Sequence, residues 1–445
     1  MTAAKDIAKP PGQFQRMVNR IESPYWVMMG LFAILLIAAF ILDTPQDIWA
    51  GLLRIWTSRS VLVSDYAYLG GMGAMLVSST LVGIFSMTTM IVGGVKPTGG
   101  TLMGLWLILG FAFFGKNVLN TIPLVMGVWL FSRVKKMPFR DVSVTTMMCA
   151  SVSPIVSEVA YLTPFPQPAG AIVGLLVGIF VGFIFAPLAI AMGKVHGGYL
   201  LYNAGFVGGL IATFAVSLLR NAGFAIVPVR LWSTGYNLPL GILMYVISAT
   251  FIVLGFVLGG KDRWEKMRKM NKHSGRLVTD YYALYGDVTY LNMGILCALG
   301  TTVTLVLGGH INGATMGGIF CVVGFGALGK NLRNVLPIMA GCILGACWNA
   351  FQGAHDLTAW GWEANAVVAP SNMLAILFGT GIAPLAGRFG WKWGIICGFV
   401  HLNIVWFVGY LNGGLNLYNN GFAGGFVVIF MIPIITALSR RTAEE

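Results

Sequence analysis

Apolar stretches long enough to cross a lipid bilayer recur along the whole chain. Residues 26–42, 169–192, 238–258 and 394–408 are examples, and a helix of about 20 apolar residues spans the roughly 30 Å of hydrocarbon in a bilayer. Charged residues make up only 10% of the 445 residues, whereas an average soluble domain has about 25%. The sequence therefore predicts a polytopic all-α membrane protein and excludes a soluble globular fold.

Two motifs occur twice in the chain at nearly the same spacing. The first reads GKNVLNTIPLVMG at 115–127 and GKNLRNVLPIMAG at 329–341. The second reads GGYLLYNAGFVGG at 197–209 and GGLNLYNNGFAGG at 413–425. This duplication divides the chain into an N-terminal segment (1–22), a first transmembrane repeat (23–220), a linker (221–236) and a second transmembrane repeat (237–441).

Matching loops of the two repeats have opposite charge. The loop at 133–140 carries four basic residues, and its counterpart at 349–371 carries none. The loop at 261–276 carries seven basic residues, whereas its counterpart in the first repeat carries only Arg54 and Arg59. Because Lys and Arg in short loops favour the cytoplasmic side, the two repeats are predicted to have inverted topology. We expect about five transmembrane helices plus a re-entrant hairpin in each repeat. Two short full crossings in place of the hairpin would leave the chain on the same side of the membrane, so this alternative stays open.

Each copy of the G-K-N-x-x-N-x-x-P motif places a lysine within an apolar element. A lysine there costs at least about 2.5 kcal/mol, which makes Lys116 and Lys330 candidate binding residues. If the two motifs met near the midplane, they would form a cationic pocket for a small polar solute, with amides orienting it. The asparagines concerned are Asn117, Asn120, Asn331 and Asn334. Alternatively, the lysines reach an interface or pair with a carboxylate such as Glu158.

Other polar residues in apolar segments have two interpretations each. Asn203 and Asn419, in the second motif, either line the permeation path or bond between helices that their glycines allow to approach closely. Pro154 and Pro370, taken as repeat mates, mark either unwound helices that expose carbonyls or ordinary kinks. Arg333, inside the second GKN motif, breaks the repeat symmetry and is expected to favour anions.

The duplicated GKNxxNxxP and GGxxLYNxGFxGG elements resemble a family of bacterial duplicated membrane proteins of unknown function. At the level of architecture, two inverted halves with a re-entrant element each resemble the urea transporters and the elevator-type carboxylate carriers. Hairpin tips of the elevator-type carriers are rich in small and amide residues, as are Gly115-Asn117 and Gly329-Asn331. The two lysines fit the neutral pore of a urea transporter poorly.

These features predict a transporter in the bacterial inner membrane, with both termini cytoplasmic, that moves a small, anionic solute by alternating access. A passive channel for a small anion or a neutral solute such as urea is the alternative, and an intramembrane enzyme using Glu158, His310 and His401 is a third. We expect no cofactor, metal or nucleic-acid partner, and place the excess positive charge beside anionic lipid. Inverted-repeat membrane proteins often assemble as dimers or trimers, so we expect a homo-oligomer, with the amphipathic segments at 46–59 and 262–271 as candidate contacts.

Overall fold

The structure, a computed structural model, describes residues 22–162, 165–226, 229–351 and 367–438, which form twenty α-helices. Ten belong to each repeat, in matching order. The first ten are α1 (Ser23–Leu42), α2 (Pro45–Thr57), α3 (Tyr66–Gly70), α4 (Met72–Val92), α5 (Gly99–Phe111), α6 (Val118–Val134), α7 (Phe139–Cys149), α8 (Pro154–Leu162), α9 (Ala169–Val195) and α10 (Asn203–Asn221). The second ten are α11 (Asn237–Leu258), α12 (Arg263–Met270), α13 (Tyr281–Tyr285), α14 (Val288–Val306), α15 (Gly313–Gly324), α16 (Leu332–Phe351), α17 (Pro370–Phe378), α18 (Ala383–Phe389), α19 (Trp391–Asn412) and α20 (Asn419–Leu438).

Many of these helices are long and apolar enough to cross a bilayer. Within the described residues ten helical segments meet that requirement, and the bent pair α7–α8 makes an eleventh. These segments carry little charge, and their helical conformation satisfies most backbone hydrogen bonds internally, as hydrocarbon demands. The predicted polytopic all-α membrane fold with a duplicated unit is confirmed.

Helices α5 and α15, at the centre of the molecule, run antiparallel. The start of α15 lies at the end of α5, because the Gly313 Cα packs on the Phe113 carbonyl. The reverse contact joins the start of α5 at Gly99 to the Ala327 carbonyl, just after α15. Equivalent helices of two repeats that lie side by side in opposite directions are the arrangement that inverted topology requires.

The chain turns sharply after α5 and again after α15. Gly115 and Gly329 have φ values of +76° and +101°, a conformation that residues with a Cβ rarely adopt. Helix α5 has 13 residues, so it rises only about 20 Å, less than the hydrocarbon thickness. The pairs α5–α6 and α15–α16 therefore each reverse at a left-handed glycine, and α5 is too short to cross the bilayer, whereas α16, with 20 residues, is long enough.

The spans α7–α8 and α17–α18 are both broken by a short 3-10 turn, at Ala150–Val152 and Gly379–Ile382. In each turn a freed carbonyl accepts a hydrogen bond from the other repeat: Leu417 N donates to Ser151 O and Leu201 N to Gly381 O, both at 2.9 Å.

These equivalent bonds fix which residues of the two broken spans correspond. Ser151 matches Gly381, so Pro154 matches Pro384, and the expectation that Pro154 matches Pro370 is wrong. Pro370 instead begins α17. The error arose because the repeat offset changes within this part of the chain, so a constant spacing pairs the wrong prolines.

Helices α10 and α20 cross where their glycines touch. A Cβ on Gly205 would lie 2.8 Å from the Gly421 Cα and 2.7 Å from the Tyr418 carbonyl. Only glycine permits this approach, which brings Tyr202 and Tyr418, just before the two helices, into contact. The glycines of the second motif thus serve helix packing near the pseudo-twofold axis.

Candidate functional site

A row of four aromatic rings lies between the two buried lysines. Its centre is the pair Tyr202–Tyr418, whose ring centroids are 4.4 Å apart. Phe111 lies 4.8 Å from Tyr418, and Phe325 lies 5.0 Å from Tyr202. The lysines end the row symmetrically: Lys116 Nζ is 5.1 Å from the Phe111 ring centroid, and Lys330 Nζ is 5.1 Å from that of Phe325.

The structure does not bring the two GKN motifs together in one pocket. They lie at opposite ends of the antiparallel α5–α15 pair, since Gly115 follows α5 and Gly329 follows α15. The lysine side chains reach back from these ends towards the aromatic row. The expected single cationic pocket is therefore replaced by two separate lysine sites that share a wall of aromatic rings.

Lys330 is fully buried and has two hydrogen-bond partners. Its ammonium group donates to the hydroxyls of Tyr202 and Thr380, the second at 2.7 Å. It also lies 4.4 Å from the Tyr202 ring centroid, within the range of a cation–π contact. The protein itself thus supplies Lys330 with oxygen acceptors.

Lys116 is equally buried, with 1% exposure, but lacks such acceptors. Among the described residues its ammonium group makes no hydrogen bond, and its neighbours are the Phe111 ring and the Cys149 thiol. Where Lys330 has Thr380, the equivalent position beside Lys116 is Ala150. Tyr418 is the equivalent of Tyr202 in the other repeat, but its hydroxyl contacts Cys321 Sγ at 2.9 Å rather than Lys116.

The alternative partner for these lysines, Glu158, is engaged elsewhere. Its buried carboxylate pairs with Arg59, whose Nε lies 2.9 Å from Oε2. A buried ammonium without an acceptor is energetically costly unless something else supplies one. Lys116 is therefore a buried lysine whose ammonium group has no protein acceptor among the described residues.

The four asparagines of the GKN motifs act as helix caps. Asn117 Oδ1 accepts from Asn120 N at 3.1 Å, and Asn120 Oδ1 accepts from Asn117 N at 2.9 Å. Asn331 and Asn334 repeat this reciprocal pair at 3.1 and 3.0 Å. Such capping boxes satisfy the free N–H groups at a helix start, so these asparagines shape the turns.

The amide donors of these asparagines tie the two turns to different parts of the molecule. Asn120 Nδ2 donates to Ser157 Oγ on the broken span of its own repeat, at 3.0 Å. Asn331 Nδ2 donates to the carbonyls of Met270 and His273, both at 3.1 Å. The loop after α12 therefore closes over the second turn.

Asn203 and Asn419 anchor the starts of α10 and α20 to the preceding long helices. Asn203 Nδ2 donates to the Ala189 carbonyl at 2.9 Å, and Asn419 Nδ2 donates to the equivalent Val405 carbonyl at 3.4 Å. Their side-chain oxygens contact His196 and Asn412. Of the two, Asn419 also lines an open cleft.

The cleft, of about 90 Å³, lies between α17, α19, α20 and two extended segments. Its wall is largely apolar, and its polar groups are Arg230, Ser371, Asn419 and Asn420. Partial burial lowers the pKa of Arg230, in the loop between the repeats, to about 10, so its guanidinium stays charged at neutral pH. Pockets that bind small molecules have this composition: apolar walls with few, convergent polar groups.

Two residues connect the cleft with the Lys116 site. Leu417 lines the cleft and packs directly on Gly115. Phe378 lines the cleft and stacks on Phe111, with centroids 5.8 Å apart and nearly parallel planes. One layer of side chains therefore separates the cleft from Lys116.

Arg333 points away from the candidate site. Its side chain is exposed on α16, so the expectation that it favours anions in the site is not supported by its position. His401, another candidate, bonds to Asn420 through Nε2 at 3.0 Å, while Glu158 bonds to Arg59. The described residues contain no cluster of three His, Cys, Asp or Glu side chains that would hold a metal ion.

Comparison with known families matches the chain twice to one model. Residues 44–221 and 260–437 each match the family described as protein of unknown function DUF1576. The chain belongs to the DUF1576 family. Comparison with curated proteins and with solved structures found no match.

In this DUF1576 protein, sequence reasoning missed the residues that join the two repeats. Asp65 Oδ1 accepts from Gly313 N at the start of α15 at 3.1 Å, and Asp280 accepts from Gly99 N at the start of α5 at 3.0 Å. Tyr66, the residue after Asp65, contacts the first GKN turn, because Asn117 Nδ2 lies 3.4 Å from the Tyr66 hydroxyl oxygen. The Asp-Tyr pair occurs twice in the sequence, at 65–66 and 280–281, but repetition alone does not reveal partners in the other repeat.

Proposed function

We propose that this protein is a secondary transporter that moves a small anion across the bacterial inner membrane by alternating access. The observation that carries the proposal is the unequal pairing of two equivalent buried lysines. Lys330 has protein oxygens as acceptors, whereas Lys116 has none among the described residues. The anionic group of the solute supplies the missing acceptor at Lys116.

The inverted repeats allow the two lysine sites to exchange their surroundings, one with protein acceptors and one without. In transporters of this design, each repeat can take the conformation of the other, which exposes the site to the opposite side. Here the Lys330 turn is covered by the loop after α12, and the Lys116 turn lies one side-chain layer below the cleft. With the basic loops and both termini cytoplasmic, the cleft opens to the outside.

The broken spans supply the moving parts. Their 3-10 turns bond to Leu201 and Leu417 of the opposite repeat through a single backbone hydrogen bond each. Leu417 also covers Gly115. A shift of either turn thus moves the side chains that cover a lysine site, which couples access to solute binding.

The test is solid-supported membrane electrophysiology on proteoliposomes, with pulses of small carboxylates, bicarbonate, phosphate, halides and urea. A saturable current for one anion class is expected from the wild type. Lys116→Met, which keeps the length of the side chain but removes its charge, is expected to abolish that current, whereas Arg333→Gln, a matched loss of an exposed charge, leaves it intact. Equal currents from Lys116→Met and wild type would refute the proposed role.

A further inference from the structure

We infer that the cleft is an entry site for a small organic anion with an apolar body, such as an aromatic or branched aliphatic carboxylate. This inference rests on the proposed function and narrows its substrate class. It concerns a site outside the two GKN motifs, and it distinguishes an organic anion from a halide, bicarbonate or phosphate.

The first argument is the distribution of polar and apolar groups in the cleft. Seven lining side chains are aliphatic or aromatic: Leu62, Val63, Leu374, Phe378, Val405, Trp406 and Leu417. Such a wall offers nothing to a hydrated inorganic ion, which would lose its water shell there without compensation. It stabilises an apolar body through the removal of apolar surface from water.

The second argument is the position of the polar groups. Arg230 is the cationic side chain of the lining, and its planar fork of donors suits a carboxylate better than a spherical ion. Ser371, on the same cleft at the start of α17, has a buried hydroxyl without a hydrogen-bond partner among the described residues. Asn420 adds an amide on α20. Arg230, Ser371 and Asn420 can each donate a hydrogen bond, as a carboxylate requires.

The third argument is the route inward from the cleft. The side chains between the cleft and Lys116 are apolar, Leu417 and Phe378. A solute with an apolar face can displace these two residues while its carboxylate moves from Arg230 towards the unpaired Lys116.

Binding of benzoate to the purified full-length protein in detergent tests this inference, by isothermal titration calorimetry and by the shift in unfolding temperature. Benzamide, with the same shape and no charge, and chloride, with charge and no apolar body, are the comparison ligands. We expect saturable benzoate binding and at least tenfold weaker binding of both comparison ligands. Arg230→Gln is expected to weaken benzoate binding at least tenfold, and Arg333→Gln to leave it unchanged.

A second variant guards against misfolding of the first. Leu62→Trp, at a half-buried position of the lining, fills the cleft without a change in charge, and is expected to exclude benzoate while the unfolding temperature without ligand stays near that of wild type. Chloride binding as tight as benzoate binding, or unchanged benzoate binding in both variants, would overturn the inference. A wild-type anion current that benzoate neither carries nor inhibits would also overturn the inference. In that case the proposed transport function would stand.

Discussion

The turns that carry Lys116 and Lys330 have nearly the same sequence and the same backbone, yet they differ in what surrounds them. Both begin with a left-handed glycine and both close with a reciprocal asparagine cap. One lysine donates to two protein hydroxyls, and the other has only a ring and a thiol beside it. The shared features build the turn. The differences at Ala150, Thr380 and the loop after α12 decide which lysine finds hydrogen-bond acceptors within the protein.

Removing the links between the repeats should have the largest effect on stability. Asp65 is fully buried and accepts hydrogen bonds from the backbone of Gly313 and from Ser233, and each buried donor left unpaired costs about 1–3 kcal/mol. Asp65→Ala should therefore lower the free energy of unfolding by about 3 kcal/mol or more. Asp280, the equivalent residue of the second repeat, is partly exposed. Asp280→Ala should therefore lower the free energy of unfolding by less, about 1–2 kcal/mol.

Thermal unfolding in detergent measures both losses. Asp141→Ala, which removes an exposed carboxylate on α7, is the control and should change stability little. Equal losses for Asp65→Ala and Asp280→Ala would show that the two halves are joined with equal strength, contrary to the burial of these residues.

The two lysines should respond oppositely to the loss of charge. Lys330→Met leaves the buried hydroxyls of Tyr202 and Thr380 without their donor, whereas Lys116→Met removes an ammonium that has no hydrogen bond among the described residues. We expect Lys330→Met to be less stable than Lys116→Met by about 1–3 kcal/mol, and Lys116→Met to be at least as stable as wild type. Chemical or thermal unfolding of both variants checks this order, and a reversed order would contradict the assigned partners.

The crossing of α10 and α20 should be sensitive to a single methyl group. Gly205→Ala places a Cβ against the Gly421 Cα and the Tyr418 carbonyl, and such overpacking costs about 1–3 kcal/mol. Gly30→Ala, in α1, meets nothing within 4 Å and serves as the control, since alanine favours a helix over glycine. Unfolding temperatures that fall equally for both variants would argue against the close crossing.

A hydroxyl introduced beside Lys116 should make the two sites more alike. Ala150 occupies the position of Thr380, so Ala150→Ser offers Lys116 an acceptor of the kind that Lys330 already has. We expect stability to rise by about 1 kcal/mol and solute currents to fall several-fold, because the serine competes with the solute. Thr380→Ala is the reciprocal variant. Faster transport by Ala150→Ser would contradict this account.

The smallest effect is expected at the one charge that distinguishes the two motifs in sequence. Arg333 is exposed, and surface substitutions change stability by about 0.5 kcal/mol or less. Arg333→Gln should match wild type in both unfolding temperature and anion current. A large loss of current would place Arg333 on the solute path after all.

Much of the architecture followed from the sequence. The apolar stretches and the duplicated motifs predicted the spans and the two repeats, because hydrophobicity and repetition are local and visible along the chain. The left-handed glycines at the GKN turns, Gly115 and Gly329, were likewise readable from residue type. The N-x-x-N spacing is also that of a capping box, but residue type alone does not show whether the asparagines cap the helix or bind a ligand.

Pairings between distant segments did not follow from the sequence. Asp65 meets Gly313 across 248 residues, and the acceptor of Lys330 on Tyr202 is 128 residues away. The separation of the two lysines depends on which ends of α5 and α15 meet, and repetition alone does not decide that. The interpretation of Arg333 failed because the motif does not show which face of α16 the side chain occupies.

Counterflow in proteoliposomes tests the central claim, that Lys116 holds the charge of a solute that is exchanged by alternating access. Vesicles containing wild type, Lys116→Met or Arg333→Gln are loaded with the unlabelled anion that gives the largest current, and uptake of the labelled anion is followed. The account predicts uptake stimulated by internal anion for wild type and Arg333→Gln, and none for a folded Lys116→Met. Uptake by Lys116→Met at the wild-type rate would contradict the role of the lysine, and wild-type flux without stimulation by internal anion would indicate a passive channel instead.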